Sequence, residues 1–291
     1  MSARPRLNPD WLHAQYSNRD LVPDHAAVQQ GWKDASALAR RSSAVHLDLA
    51  YGDGVGETLD VFLPTDANAR AAPVLVFIHG GYWRLLDKSD HSFVAPAFNS
   101  QGALVVVPNY ALCPAVSIEH IVLQIALAVQ WTWRNAARYG GDPARIALVG
   151  HSAGGHLAAM MLSCRWKELA PEMPSQPLAG ALSISGLFDL EPLRHTVFLQ
   201  ADLRLTPASV ARLSPAFFPR PKGTKLFAAV GLDESEEFLR QNKLIRDVWG
   251  PTAVPVCETV PGANHFTVLN RLADPASRLH LLALRLLGLR P

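Results

Sequence analysis

The sequence predicts an α/β fold in which a mostly parallel, eight-stranded sheet is flanked by helices. Short apolar, β-branched runs alternate with helix-length amphipathic stretches, which is the pattern of parallel strands joined by helices. The runs in the middle of the chain are continuously apolar, as strands buried on both faces are. With 291 residues, 49% of them hydrophobic and 18% charged, the chain can bury one large core. We therefore expect a single domain over residues 1–291.

The sheet is expected to be mixed rather than wholly parallel. The first two predicted strands alternate apolar with polar residues, as antiparallel strands with one solvated face do. In contrast, VLVFI, ALVVV and IALV are apolar throughout. The predicted strands are 45–50, 57–63, 73–78, 103–107, 145–149, 181–185, 225–230 and 254–260.

Three long helices are predicted, at 118–138, 152–163 and 275–287. For the last of these, Asp274 suits the N-cap and Pro275 the first helical position. Its leucines recur at helical spacing, so we expect that face to pack on the sheet.

Two further segments are candidates for covering an active site. Residues 1–40 form an N-terminal extension with helix-compatible stretches, and they precede the first predicted strand. Residues 186–222 are rich in proline and separate two strands by far more than a tight connection.

Composition and charge exclude several classes of partner. The formal net charge is +2, with 27 basic and 25 acidic residues interleaved along the chain, so no extended field favours nucleic acid or anionic lipid. Three widely separated cysteines, Cys113, Cys164 and Cys257, indicate neither a disulfide framework nor a metal site. The start of the chain has no run long enough for a signal peptide, and no later run would span a bilayer. We expect a cytoplasmic protein with a small-molecule substrate; a homodimer is left open.

The segment GHSAG at 150–154 predicts the nucleophile. It matches G-x-S-x-G, and it lies between an apolar strand, RIALV, and a good helix sequence, HLAAMMLS. A serine on such a sharp strand-to-helix turn requires small neighbours and has its hydroxyl at a helix N-terminus, where positive potential favours developing negative charge. The alternative is an ordinary glycine-rich turn. The context favours Ser152 as the nucleophile of an α/β-hydrolase fold.

The segment HGGYW at 79–83 predicts the oxyanion hole. It follows the strand VLVFI, and glycines allow its backbone to approach the reacting carbonyl oxygen. By the spacing of such loops, the donors are expected to be the N–H groups of Gly81 and Tyr82, joined by that of Ala153. Tyr82 and Trp83 are expected to line the mouth of a substrate pocket, with ordinary core packing as the alternative.

Chain order identifies the general base. In this fold the nucleophile is followed by an acid and then by a histidine. Of eleven histidines only His265 and His280 lie beyond the last acidic cluster, and His280 falls inside the C-terminal helix. His265 lies in the loop PGANHF after a strand and is therefore the predicted base. His79 precedes the serine and is expected to have a structural hydrogen-bonding role. His151 and His156 lack the spacing of a metal-binding pair, so no metal is expected.

The triad acid is expected in VGLDESEEF at 230–238. This segment directly follows the apolar strand KLFAAV, so it begins at the carboxyl end of a late strand. Asp233 and Glu234 are both candidates at this point, and Asp189 is a weaker one. Glu236 and Glu237 are expected to be solvated charges.

At these motifs the sequence resembles the arylformamidase (kynurenine formamidase) branch of the α/β-hydrolase esterases, near the hormone-sensitive-lipase-like esterases. The resemblance runs through most of the chain, including QYSNRDLVPDHA, HGGYW, PNYALCP, GHSAGGHLAAMML, ESEEFLRQ and GANHFTVL. It implies a serine hydrolase without a cofactor that cleaves N-formyl aryl amides such as N-formylkynurenine, often with activity on short-chain or aryl esters. The family's D-S-P-E-F segment aligns with residues 234–238 and implies Glu234 as the acid. Because Glu236 replaces the usual proline, Asp233 stays a competitor.

The hypothesis is therefore acyl transfer to water by Ser152, His265 and Glu234. A carboxylesterase with the same triad is the first alternative. A non-catalytic ligand-binding protein on a hydrolase scaffold is an alternative from another class, because a fold alone does not establish activity.

Overall fold

The computed structural model of the protein describes residues 7–66 and 71–290, so the first six residues of the predicted N-terminal extension lie outside the described part. Within it, eight strands form one sheet. The strands are β1 (Val45–Ala50), β2 (Thr58–Phe62), β3 (Ala72–Ile78), β4 (Leu104–Pro108), β5 (Gly141–His151), β6 (Leu178–Ile184), β7 (Leu226–Gly231) and β8 (Val256–Val260).

The predicted mixed sheet is confirmed. The strand order is β1-β2-β4-β3-β5-β6-β7-β8. The pairs β1–β2 and β2–β4 are antiparallel, and every later pair is parallel. Strands β1 and β2, whose sequences alternate, are antiparallel to their neighbours, and the continuously apolar β3, β4 and the second half of β5 are buried on both faces. The solvated face expected for the second strand is wrong: β1 is largely exposed, but in β2 the polar residue Asp60 is fully buried, where it pairs with Lys88 at 2.6 Å. Strand β5 begins before the predicted 145–149. Its first residue, Gly141, pairs with Ala72 of β3, and a register shift separates this pair from the regular pairing that starts at Val74 and Ile146.

Helices cover both faces of the sheet. In chain order they are α1 (Pro9–Tyr16), α2 (Asn18–Leu21), α3 (His25–Ser42), α4 (Ala95–Asn99), α5 (Ile118–Asn135), α6 (Ala153–Leu162), α7 (Trp166–Leu169), α8 (Glu191–Arg194), α9 (Val197–Leu203), α10 (Pro207–Leu213), α11 (Glu236–Ala253), α12 (Thr267–Ala273) and α13 (Arg278–Leu287). One apolar cluster lies between the sheet and helices that include α5, α6 and α11, and the other lies on the opposite face with α4, α12 and α13. No helix of the described ranges is long and apolar enough to cross a membrane.

The predicted N-cap of the last helix is wrong. Helix α13 begins at Arg278, and the side chain of Ser277 accepts from the N–H of His280. Asp274 instead closes a turn, because its Oδ1 accepts from Ala276 N at 3.0 Å and its carbonyl accepts from Ser277 N at 2.9 Å. The proline therefore belongs to this turn and not to the helix.

The N-terminal extension and the 186–222 segment meet above the sheet. The extension forms α1, α2 and α3, and the segment between β6 and β7 contains α8, α9 and α10. His13 of α1 contacts Phe198 of α9 edge-on, with ring centroids 5.1 Å apart. The two segments thus come together over the carboxyl end of β5, where Ser152 follows.

Candidate active site

Ser152 stands on a strained turn between β5 and α6. Its backbone has φ +56° and ψ −119°, a conformation that side-chain-bearing residues rarely adopt. The turn is tight, since a Cβ at Gly150 would lie 2.1 Å from the carbonyl oxygen of Gly154, and one at Gly154 would lie 2.0 Å from that of Ile78. Both glycines of the motif are therefore required by close backbone approach. The hydroxyl lies at the N-terminus of α6, where the helix dipole is positive.

His265 lies within hydrogen-bond distance of this hydroxyl. It occupies the loop between β8 and α12, and its Nε2 is 3.1 Å from Ser152 Oγ. Asn264 shapes that loop, because its Oδ1 accepts from the N–H groups of Phe266 at 3.0 Å and Thr267 at 2.9 Å. The carbonyl of His265 accepts from His151 Nε2 at 2.9 Å. Hydrogen bonds to the backbone of His265 and of the residues after it therefore fix the position of the imidazole.

Glu234 completes a line of three side chains. Its Oε2 accepts from His265 Nδ1 at 2.6 Å. Its Oε1 accepts from Gly231 N at 2.8 Å and from Ser185 Oγ at 2.5 Å. The carboxylate is fully buried. The structure therefore joins Glu234, the acid implied by the family register, to His265.

The competing acids lie elsewhere. Asp233 is exposed, and only its backbone N–H takes part in the loop, donating to Ala263 O at 3.1 Å. Asp189 lies 3.4 Å from Arg240 Nη1, and burial raises the pKa of its carboxyl group. Neither carboxylate contacts His265.

The HGGYW loop follows β3 and bends through three consecutive residues with positive φ. These are Gly81 at +104°, Tyr82 at +50° and Trp83 at +56°. Ala153 is the first residue of α6, so its N–H has no partner within the helix. Among residues 7–66 and 71–290, the N–H groups of Gly81, Tyr82 and Ala153 have no protein acceptor. These donors are free for an anionic oxygen.

His79 stabilises the same loop from beneath. Its Nδ1 donates to Gly80 O at 2.8 Å, and its ring stacks on that of Tyr110 with centroids 4.2 Å apart. Tyr110 in turn donates its hydroxyl to His79 O at 2.9 Å. Burial lowers the pKa of His79, so the ring is neutral near pH 7. These contacts agree with the structural role predicted for it.

The pocket role predicted for Trp83 is wrong. Its side chain is fully buried and packs edge-on against His156, with ring centroids 4.9 Å apart. The positive φ of Trp83 directs the indole into the core behind α6, while its carbonyl accepts from Cys113 N at 2.8 Å. Trp83 does not line the cavity at Ser152, whereas Tyr82 does.

A cavity of about 200 Å³ opens at Ser152 and His265. The N-terminal extension contributes much of its wall, including Tyr16, Asn18 and Trp32, and Phe198 comes from α9. The sequence pointed to the segments 1–40 and 186–222 as covers of the site, but it singled out none of these residues. Tyr16 and Asn18 lie in the family-like stretch QYSNRDLVPDHA, yet their place in the pocket wall depends on how α1, α2, α3 and α9 pack over the sheet. The described residues contain no cluster of His, Cys, Asp or Glu that could hold a metal ion.

Comparison with known proteins identifies the family of this chain. The chain is 31% identical to a kynurenine formamidase of Salmo salar and 30% identical to one of Danio rerio, over 99% of both chains in each case. The chain belongs to the kynurenine formamidase family. A family model named BD-FAE also matches residues 59–180.

Solved structures agree with this family's fold. A crystal structure of a putative thioesterase from a Silicibacter species superposes with a TM-score of 0.80 at 33% identity, covering 92% of this chain and 97% of the other. An esterase of Pyrobaculum calidifontis superposes with a TM-score of 0.68 at 18% identity, over 97% and 98% of the two chains, which supports the fold alone. The protein therefore has the α/β-hydrolase fold, and its kynurenine formamidase relatives identify it as a hydrolase.

In this family member Glu237 is not the solvated charge that the sequence predicted. It is 1% exposed, and both carboxylate oxygens accept from Arg240, at 2.7 and 2.8 Å. Its Oε2 also accepts from Tyr16 OH at 2.8 Å. The prediction is wrong because α1 covers the first turn of α11 and removes this carboxylate from water. Glu236, one residue earlier, is exposed as expected.

Proposed function

We propose that the protein is a serine hydrolase that removes the formyl group from an N-formyl aryl amide such as N-formylkynurenine. The observation that carries the proposal is the hydrogen-bonded line from Glu234 through His265 to Ser152 at the floor of a cavity. The sequence similarity to kynurenine formamidases, which extends over 99% of the chain, supports the substrate class.

The first half of the reaction transfers the formyl group to the enzyme. Ser152 Oγ attacks the formyl carbon while its proton passes to His265 Nε2. The carbonyl oxygen becomes an anion and accepts from the N–H groups of Gly81, Tyr82 and Ala153. When the C–N bond breaks, His265 gives the proton to the leaving aryl amine, and a formyl ester remains on Ser152.

Water completes the cycle. His265 takes a proton from the water as it attacks the formyl ester, and returns it to Ser152 Oγ when formic acid leaves. Glu234 holds the proton on Nδ1 of the base and stabilises the imidazolium that forms in each half. The donors on its other oxygen, Gly231 N and Ser185 Oγ, keep the carboxylate turned toward the histidine.

A carboxylesterase is the second candidate. Esterase LipQ of Mycobacterium tuberculosis is 34% identical over 52% of this chain. Ester and amide cleavage use the same triad and oxyanion donors, so the distinction is one of relative efficiency. A non-catalytic binding protein would not require the hydroxyl, imidazole and carboxylate to be aligned. Cytoplasmic residence, operation without a cofactor, and a homodimer stay predictions from the sequence.

The test compares kcat/KM for N-formylkynurenine with that for p-nitrophenyl acetate, in the wild type and in Ser152→Ala. We expect the formamide to be preferred and the variant to lose both activities. Ser235→Ala is the matched control, because its hydroxyl is also buried, next to Glu234, but has no hydrogen-bond partner within the part of the chain that the structure describes. A strong preference for the ester would favour the second candidate. Full activity in Ser152→Ala, or no labelling of Ser152 by a fluorophosphonate, would exclude the proposed mechanism.

A further inference from the structure

The backbone at Tyr82 needs support from outside its own loop. Tyr82 carries a side chain at φ +50°, between two other residues with positive φ. Such conformations persist only where surrounding contacts fix them. Hydrogen bonds within the loop hold Gly81, whose carbonyl accepts from Arg84 N and Leu85 N, both at 3.0 Å. They do not hold Tyr82 itself.

The support for Tyr82 comes from residues 16–18, which we call the N-terminal strap. Tyr82 OH donates to Tyr16 O at 2.8 Å and accepts from Asn18 Nδ2 at 3.2 Å. Both partners are buried, with Asn18 7% and Tyr16 0% exposed. The phenol ring therefore has its far end fixed by two directed hydrogen bonds as well as by packing.

The strap is itself anchored to the helix that follows the proposed triad acid. Tyr16 OH donates to Glu237 Oε2 at 2.8 Å and accepts from Gln241 Nε2 at 3.2 Å. The Tyr16 ring also packs edge-on against Phe238, with centroids 5.7 Å apart. Glu237, Phe238 and Gln241 all lie in α11. A continuous set of contacts therefore joins α11, the strap and the HGGYW loop.

We propose that Tyr16 and Asn18 are positioning residues, which act through the Tyr82 hydroxyl to hold the Tyr82 N–H in the orientation that stabilises the oxyanion. The inference rests on the proposed function, because it assigns this N–H to the oxyanion hole. It explains why an aromatic residue with a hydroxyl, and not a third glycine, follows the two glycines of the loop.

The hydroxyl remains a donor at all working pH values. Burial, together with the nearby charge of Glu234, raises the pKa of Tyr82 far above its usual value. The bond from Tyr82 OH to Tyr16 O is therefore kept, and the lone pairs of the phenol remain available to Asn18.

The experiment uses Tyr82→Phe, which removes only the hydroxyl and leaves the ring and the backbone N–H. We expect kcat for p-nitrophenyl acetate to fall about tenfold, with KM within about twofold of wild type, because loss of an oxyanion donor costs ~10²–10³ and displacement of one costs less. Rates are normalised to the fraction of enzyme labelled by a fluorophosphonate. Inhibition by an aryl trifluoromethyl ketone, which forms an oxyanion on the serine, should weaken by the same factor as kcat/KM.

A double-mutant cycle separates positioning from simple stabilisation. If Asn18 acts through the Tyr82 hydroxyl, Asn18→Ala lowers kcat in the wild type but has no further effect in Tyr82→Phe. Tyr51→Phe is the control, because it removes a half-buried hydroxyl that donates to Asn109 O at 2.8 Å and does not line the cavity. It should leave kcat unchanged.

The inference is overturned if Tyr82→Phe keeps kcat within twofold of wild type. It is also overturned if the losses of kcat caused by Asn18→Ala and Tyr82→Phe are additive in the double variant. Either result leaves the proposed function intact, because that function is judged by Ser152 labelling and by Ser152→Ala. If wild-type Ser152 takes no label, the proposed function fails, and the role of the strap fails with it.

Discussion

At the scale of single residues, Asp233 and Glu234 show how far two neighbouring carboxylates differ. Glu234 accepts hydrogen bonds from a backbone N–H, a serine hydroxyl and an imidazole, and it is fully buried. Asp233 is exposed. A carboxylate with three donors around it is held in one orientation, whereas an exposed one is free to rotate in water.

The two acids give a matched pair of variants. We expect Glu234→Gln to lower kcat on the order of 10³-fold, because an amide does not stabilise the imidazolium or fix the tautomer of His265. Asp233→Asn removes the same charge from the same loop and should leave kcat within twofold. Steady-state kinetics on p-nitrophenyl acetate measure both. The opposite ranking of the two variants would assign the acid to Asp233.

At the scale of elements, helix α6 lies unusually close to strand β3. A Cβ at Gly154 would lie 2.0 Å from Ile78 O and 2.6 Å from His79 O, and both are backbone atoms. Backbone cannot move aside as a flexible side chain does. The glycine therefore sets the distance between α6, which follows Ser152, and the strand that leads into the HGGYW loop.

Substitution of this glycine should be costly, and another helical glycine provides the control. We expect Gly154→Ala to lower the free energy of unfolding by about 1–3 kcal/mol or more, since the added methyl group forces α6 and β3 apart. An added Cβ at Gly31, in α3, would have no described residue within 4 Å, and Gly31→Ala should stabilise the protein by about 0.5–1 kcal/mol. Urea unfolding checks both. Equal effects at the two sites would contradict this account.

Helix α11 carries an ion pair whose two members differ in burial. Glu237 is 1% exposed on its side chain and Arg240 17%. One turn further on, Lys243 and Asp247 form a pair at 2.5 Å that is 74% and 55% exposed. When a buried charge loses its partner, water cannot take the partner's place, whereas water readily solvates an exposed charge.

Removing the cation from each pair should therefore have unequal effects. Arg240→Met leaves the Glu237 carboxylate buried without its partner and should destabilise the protein by about 3–5 kcal/mol. Lys243→Met in the same helix should change stability by about 0.5 kcal/mol or less. The free energy of unfolding in urea distinguishes these values. A small effect of Arg240→Met would mean that Tyr16 alone satisfies the carboxylate.

At the scale of the whole molecule, several buried histidines make stability depend on pH. Burial lowers the pKa of His91 to about 3 and that of His156 to about 4, and it also lowers the pKa of His79 and His151. In the unfolded chain each histidine takes up a proton near pH 6.5. Their contribution to stability is therefore complete above about pH 6.5 and is lost as the pH falls toward 3–4.

The contribution of one histidine can be isolated. Between pH 7.5 and 5.5, His91 and His156 should each cost about 1.4 kcal/mol of unfolding free energy, because their pKa values in the folded protein lie below this range. In His156→Gln, the amide can still donate to Leu213 O, which accepts from His156 Nε2 at 2.7 Å, but it takes up no proton. We expect the loss of stability between these two pH values to shrink by about 1.4 kcal/mol in this variant. An unchanged pH dependence would show that His156 is protonated in the folded protein.

Much of this arrangement could be predicted from short stretches of sequence. The mixed sheet follows from alternating strands at the start of the chain and continuously apolar strands after them. The G-x-S-x-G motif singled out Ser152 and chain order singled out His265, and the structure places the two side chains 3.1 Å apart. Helix boundaries were less predictable, as at Asp274 and Ser277, because two residues with similar capping ability compete within one turn. The hydrogen bonds of the turn at 274–277 decide between them, since they engage Asp274 and leave Ser277 to cap the helix.

What the sequence by itself determined is the set of local structures and their order. G-x-S-x-G, HGGYW and the late histidine loop each depend on glycine spacing and on an adjacent strand, so they are encoded within a few residues. What only the tertiary structure decided is the environment of each side chain: Glu234 enclosed and Asp233 exposed, Trp83 in the core, and Tyr16 hydrogen-bonded to Glu237 across 221 residues of chain. Burial and pairing depend on which distant elements pack together, and no local pattern contains that information.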